Sequence, residues 1–190
     1  MPTRLTIAGV VVLLGLVGSP AQAQLKGENL IISPPAGFMV GYSDTKNFVS
    51  LTEWVPSNET VHNWSEMVTV QVFSRRADLN PVPFLRTLQG QWLAACPAST
   101  PASVMSDKVN GYEAATMLLR CPRVVATSRP ETTMFRAIKG NGSLYLVQRA
   151  IRSTGTPDEV ERLKRYLAEV SVCEAGSRDH PCPDLKPMLR

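Results

Sequence analysis

Residues 47–73 read NFVSLTEWVPSNETVHNWSEMVTVQVF, and their alternation decides the fold. Phe48, Ser50, Thr52 and Trp54 point to one side of an extended segment, with Val49, Leu51 and Glu53 on the other. In the second run Val68, Val70 and Val72 share a face, and Thr69, Gln71 and Phe73 share the opposite one. Period-two alternation of β-branched and aromatic residues is the signature of a strand. The stretch predicts two central strands on which the rest of the chain packs. Between them lies a decorated loop, 55–66, carrying Pro56, Glu59, His62, Trp64 and Glu66, with Glu53 just outside. Loops held by strong strands are common seats of function. A short helical turn is expected inside this one, capped by Asn63 or Thr60, with Trp64 and Met67 turned inward.

Upstream, 28–33 reads as a first strand, and Pro34-Pro35-Ala36-Gly37 as a turn, because proline cannot donate into a ladder and glycine permits positive φ. Residues 38–43 alternate again, and 44–47 form the expected hairpin turn into the central stretch. Downstream, Asn80-Pro81 starts a helix whose apolar stripe runs through Phe84, Leu85, Leu88, Trp92, Leu93 and Cys96 until Pro97 ends it. Gly90 weakens that helix and would allow a close approach to the sheet. Asn110-Gly111 joins strands 103–109 and 112–120 as a two-residue hairpin. Residues 123–130 form an irregular crossing, and Gly140-Asn141-Gly142 links strands 132–139 and 143–151. Thr156, Pro157 and Glu159 spell a capping box ahead of a helix buried through Val160, Leu163, Leu167 and Val170, with Glu161 and Arg165 able to pair on its exposed side.

The chain therefore predicts an α+β fold: a single domain with a mainly antiparallel sheet of about seven strands and two main helices packed on it. Its expected bounds are a signal peptide over 1–23, the domain over 24–172, and a proline-rich tail over 173–190 tethered by a disulfide. The signal reading rests on Arg4, the apolar run Leu5–Val17 and the small-x-small pattern Ala21-Gln22-Ala23, with cleavage after Ala23. That run is short for a membrane span and no second one follows, so no stable membrane insertion is expected after cleavage. The implied location is periplasmic or secreted.

Four cysteines in an exported chain argue for disulfides. They allow three connectivities. Pairing nearest in sequence gives Cys96 with Cys121 and Cys173 with Cys182. His180 beside Cys182 raises a zinc reading, but no C-x2-C occurs and the spacings match no structural zinc pattern, so no metal is assigned. The formal net charge of +4 is not gathered into a basic stripe, which excludes nucleic acid as the expected partner.

Catalytic grammar is sparse. Gly142-Ser143 lacks the nucleophile-elbow pattern, no glycine-rich phosphate loop or C-x-x-C motif occurs, and the two histidines do not form H-E-x-x-H. Sequons at Asn58, Asn63 and Asn141 are three-residue patterns that arise readily by chance. His62 and Glu66, four apart, would share one face of a helical turn, and an imidazole beside a carboxylate can hold a metal or act as a base. Trp54, Trp64 and Tyr42 could line an aromatic cleft, although buried strand aromatics explain the same residues.

The short strands, the glycine-aromatic turn at Gly37-Phe38, the mid-chain helix and the C-terminal helix together resemble the Mog1/PsbP-like α-β-α sandwich, and also small exported proteins of Gram-negative bacteria. The resemblance covers most of the mature chain in element order, carries over no functional residue, and implies a binding or assembly role more than catalysis. The expected function is a non-enzymatic binding or accessory protein that presents the 55–66 loop to a protein or small-molecule ligand of the cell envelope. Trp54, Glu59, His62, Trp64 and Glu66 are the candidate contacts, with no catalytic residue and no cofactor assigned. The rival is a hydrolase or metal-assisted enzyme using His62 with Glu66 or Glu59.

Overall fold

The computed structural model describes residues 27–184. The expected signal peptide and the end of the tail lie outside them. Nine strands and two helices follow in the order β1 (Glu28–Ile31), β2 (Phe38–Lys46), β3 (Val49–Pro56), β4 (Glu66–Ser74), α1 (Pro81–Ala95), β5 (Met105–Val109), β6 (Tyr112–Cys121), β7 (Glu131–Lys139), β8 (Ser143–Ile151), α2 (Pro157–Ala168) and β9 (Ser171–Glu174). Seven strands form one antiparallel sheet in the order β2-β3-β4-β8-β7-β6-β5. The predicted α+β domain is thus present, and β4 and β8 sit at its centre.

Alternation sorts the side chains onto two cores. Val68 and Val70 join Tyr145, Val147, Ile138 and Met134 beneath α2, which contributes Leu163 and Leu167. The opposite face collects Ala115, Met117, Leu119, Phe135, Ala137 and Leu146 beneath α1, which inserts Leu85 and packs Phe84, Leu88 and Trp92 around it. Trp92 meets Phe135 edge-on, with ring centroids 5.9 Å apart, which confirms it as a packing residue. Burial of β8 on both faces follows from helices on both sides of the sheet.

Several local expectations change. The first strand stops at Ile31 and leaves the main sheet to pair with β9, a strand absent from the sequence reading. Four residues directly after a helix are too few to display a period, so only pairing and the Cys173–Cys182 bridge reveal β9. The segment expected as tail from residue 173 therefore begins inside a strand. His180 stacks on Tyr112 at 3.9 Å, and its Nδ1–H donates to the Asn110 carbonyl at 2.8 Å, which docks the following turn onto the β5–β6 hairpin. The β2–β3 turn is Asn47-Phe48, both at positive φ, rather than 44–47. Asn47 tolerates the left-handed region, and two such residues match the strand twist.

Asn80 occupies the N-cap of α1, but its side chain makes no cap bond and instead accepts from Lys139 Nζ at 2.7 Å. A Cβ on Gly90 would meet nothing within 4 Å, so no close approach to the sheet explains that glycine. The capping box of α2 forms as expected, with Glu159 N donating to Thr156 Oγ1 at 3.3 Å and Thr156 N donating back to Glu159 Oε2 at 2.8 Å. The Ser153 hydroxyl donates to the same carboxylate at 2.7 Å, and together these donors hold Glu159 below the ordinary carboxylate range. Glu161 pairs with Lys164 at 3.7 Å rather than with Arg165. Both disulfides pair nearest neighbours, Cys96 with Cys121 and Cys173 with Cys182.

Candidate functional site

Antiparallel order brings three connections to one end of the sheet. Glu66 of β4 pairs with Ile151 of β8, Ile151 pairs with Thr132 of β7, and Cys121 of β6 pairs with Glu131. The β3–β4 loop, the β6–β7 crossing and the start of the β8–α2 connection are therefore neighbours.

The β3–β4 loop holds its shape without the expected helical turn. A two-way pairing of Thr60 with Asn63 closes its tip. Glu59 closes its base, accepting from Ser65 N at 2.6 Å and Ser65 Oγ at 2.8 Å. Trp64 turns inward as expected and is buried with Val55, Met67 and Ala150, while Val61 packs against the same cluster. At Gly41 on β2 a Cβ would stand 2.9 Å from Val61 Cγ1 and 3.0 Å from Val55 Cγ2, so glycine lets the loop lie directly on the edge strand.

The five candidate contacts do not converge. Trp54 sits opposite Val68 in the register and packs on the α2-side core. Trp64 is grouped with Met67, whose side chain points to the other face of the sheet. The two tryptophans thus stand on opposite faces and form no common cleft, while Tyr42 is half-exposed on the edge strand. Glu66 is the first residue of β4, on the α2 side, and its carboxylate is bound by Arg149 at 2.5 Å and Arg162 at 3.4 Å. Arg149 in turn lies 4.4 Å over the Tyr166 ring. The predicted His62–Glu66 face does not exist, because residue 66 belongs to a strand and the preceding loop is not helical.

His62 is exposed at the loop tip. Its charged neighbour is Glu53, whose carboxyl is pushed up by burial and pulled partly back by the imidazole. No group of three His, Cys, Asp or Glu that could hold a metal occurs among the described residues. An exposed loop side chain has little packing to lose, so His62→Ala should shift stability by less than about 0.5 kcal/mol. Thermal unfolding of the two proteins side by side checks this, and a large drop in midpoint would show that the imidazole is structural.

Glu59 and Trp64 do meet, in a cavity of about 290 Å³ lined also by Asn63, Ser65, Arg129, Pro130 and Arg152. Arg152 stacks on Trp64 at 4.0 Å, donates to Thr127 Oγ1 at 2.9 Å and pairs with Glu131 at 3.3 Å. Arg129 donates from Nη1 to Asn63 Oδ1 at 3.2 Å. The sequence reading passed over both arginines, since 123–130 showed no periodicity and Arg152 follows a strand without a motif. Arg129 and Pro130 end the crossing immediately before β7.

No family model matches the chain, and no curated protein matches it in sequence. Among solved structures it is similar to a point mutant of the protein Mog1, with a TM-score of 0.42 and 11% identity over 72% of this chain and 78% of that one. It is also similar to the Ran-binding protein Mog1p of Saccharomyces cerevisiae, with a TM-score of 0.41 and 12% identity over 75% of this chain and 85% of the other.

Proposed function

We propose that the chain is an exported, non-enzymatic binding or accessory protein of the cell envelope, presenting the 55–66 loop and the adjoining edge strand to a partner. One observation carries this reading. Among the described residues, four of the six exposed large apolar side chains lie on the β2–β3 hairpin: Met39 (49%), Val40 (52%), Tyr42 (44%) and Phe48 (58%). Met39, Val40 and Tyr42 flank Gly41, where the loop rests. An unpaired edge strand offers backbone donors and acceptors to an extended segment, and exposed apolar side chains along it add area to such a contact. The pinned loop adds shape to that surface, because a loop already ordered loses little entropy on binding.

Two further features support the same reading. The disulfides suit an oxidising compartment, as the leader-like start of the chain would require. Among the described residues no helix is long and apolar enough to cross a membrane. The carboxylates the rival enzyme would use are already engaged, Glu66 by two guanidiniums and Glu59 by Ser65.

A photo-crosslinking residue in place of Val40 or His62 tests the proposal in intact cells. The expected result is one discrete adduct from both positions, weakened by Met39→Lys or Tyr42→Lys and absent from the exposed position 178. No adduct at 40 or 62, or an equal one at 178, would sink it.

A further inference from the structure

The cavity beneath the β3–β4 loop has guanidinium donors to spare. Its lining carries two guanidiniums, Arg129 and Arg152, against one carboxylate, Glu59. Each oxygen of that carboxylate accepts one bond from Ser65. Glu131, just behind, is occupied by Arg152 and by the Thr133 hydroxyl at 3.1 Å. Arg152 Nε is buried and has no hydrogen-bond partner. Its guanidinium plane is fixed by the Trp64 ring on one side and by Thr127 and Glu131 at its end, so it is oriented before any ligand arrives. Arg129 contributes a single bond, to Asn63, and the rest of its fork is unengaged.

We infer that this cavity binds a carboxylate, supplied by an acidic side chain or chain end of the partner. A carboxylate is planar and takes two parallel bonds from a guanidinium fork, which suits Arg129. It is singly charged and so meets less repulsion than a phosphate dianion from Glu59 and from Glu131, whose carboxylate already balances Arg152. At about 290 Å³ the cavity lies at the small end of ligand sites, sized for an acidic side chain rather than a cofactor. The apolar edge strand then supplies area and the cavity supplies the polar anchor that sets register. This inference rests on the binding role proposed above.

The test is an NMR titration of the oxidised mature chain labelled with ¹⁵N, following the Trp64 indole N–H and the Arg152 Nε–H. The probes are a blocked Gly-Glu-Gly peptide, its Gly-Gln-Gly counterpart, acetate and inorganic phosphate. The glutamate peptide should move both resonances saturably and the glutamine peptide should not. Arg129→Gln should weaken the response about tenfold, the loss of one good charged contact, and Arg129→Lys should restore only part of it. Acetate acting as well as the peptide would assign the site to small free carboxylates and overturn the partner's role. An equal response to the glutamine peptide, a preference for phosphate, or no effect of Arg129→Gln would overturn the site itself. If these fail while crosslinks at 40 and 62 persist, only the carboxylate assignment falls; if the crosslinks fail too, so does the binding reading beneath it.

Discussion

Glu66→Gln is expected to lower the unfolding free energy by about 3–5 kcal/mol, the usual cost of removing one partner from a buried ion pair. The substitution keeps the size of the side chain and removes its charge, leaving Arg149 buried between β4, β8 and α2. The Glu66 and Arg149 side chains are only 14% and 9% exposed, so water cannot replace the missing carboxylate. Arg162, at 46%, can turn to solvent and should matter less. Urea unfolding of wild type, Glu66→Gln, Arg149→Met and the double variant forms the appropriate cycle. The double variant should recover part of the loss, because two apolar or neutral groups no longer strand a charge. A cost below about 1 kcal/mol for Glu66→Gln would mean the carboxylate is held loosely, and would return Glu66 to the candidate contacts.

Removing the Cys96–Cys121 bridge should have the second large effect. It joins the end of α1 to the end of β6 across a sequence separation of 25, and both cysteines are buried. On the loop-entropy scale a closed segment of that length contributes about 3.5 kcal/mol, and the bridge with separation 9, Cys173–Cys182, about 2.5 kcal/mol. Paired alanine replacements compared by denaturant unfolding should keep that order. Thiol titration of unreduced, denatured wild type should find close to none. Four free thiols would overturn both bridges, and a reversed order would show that docking of the segment around His180 outweighs chain entropy.

These expectations separate the residues that hold the fold from those free to act. Glu66 stands four residues from His62, yet that spacing brings side chains together only on a helix. Once residue 66 opens a strand, its side chain follows the sheet's own alternation and falls on the Val68 side. Trp54 and Trp64 part for a similar reason: they belong to different faces, and no local rule says on which side a loop residue will insert.

Local information determined most of the architecture. Alternation over 49–54 and 68–73 sorted residues onto the two faces they occupy, while Phe48, read with them, falls in the turn; the Asn-Gly turn and the α2 capping box formed where their chemistry allows little else, and cysteine proximity in sequence matched the pairing. Tertiary structure alone decided three things. It paired β1 with β9, because two four-residue strands carry no period and are held by each other, by a bridge and by Leu30 and Val172 packing on the α2-side core. It left β2 as an edge with apolar residues outward, since the order of strands in a sheet is set by long-range pairing. It also assembled the arginine-lined cavity from segments 59–65, 129–130 and 152, which lie far apart in the chain and meet only because antiparallel strands return to the same end.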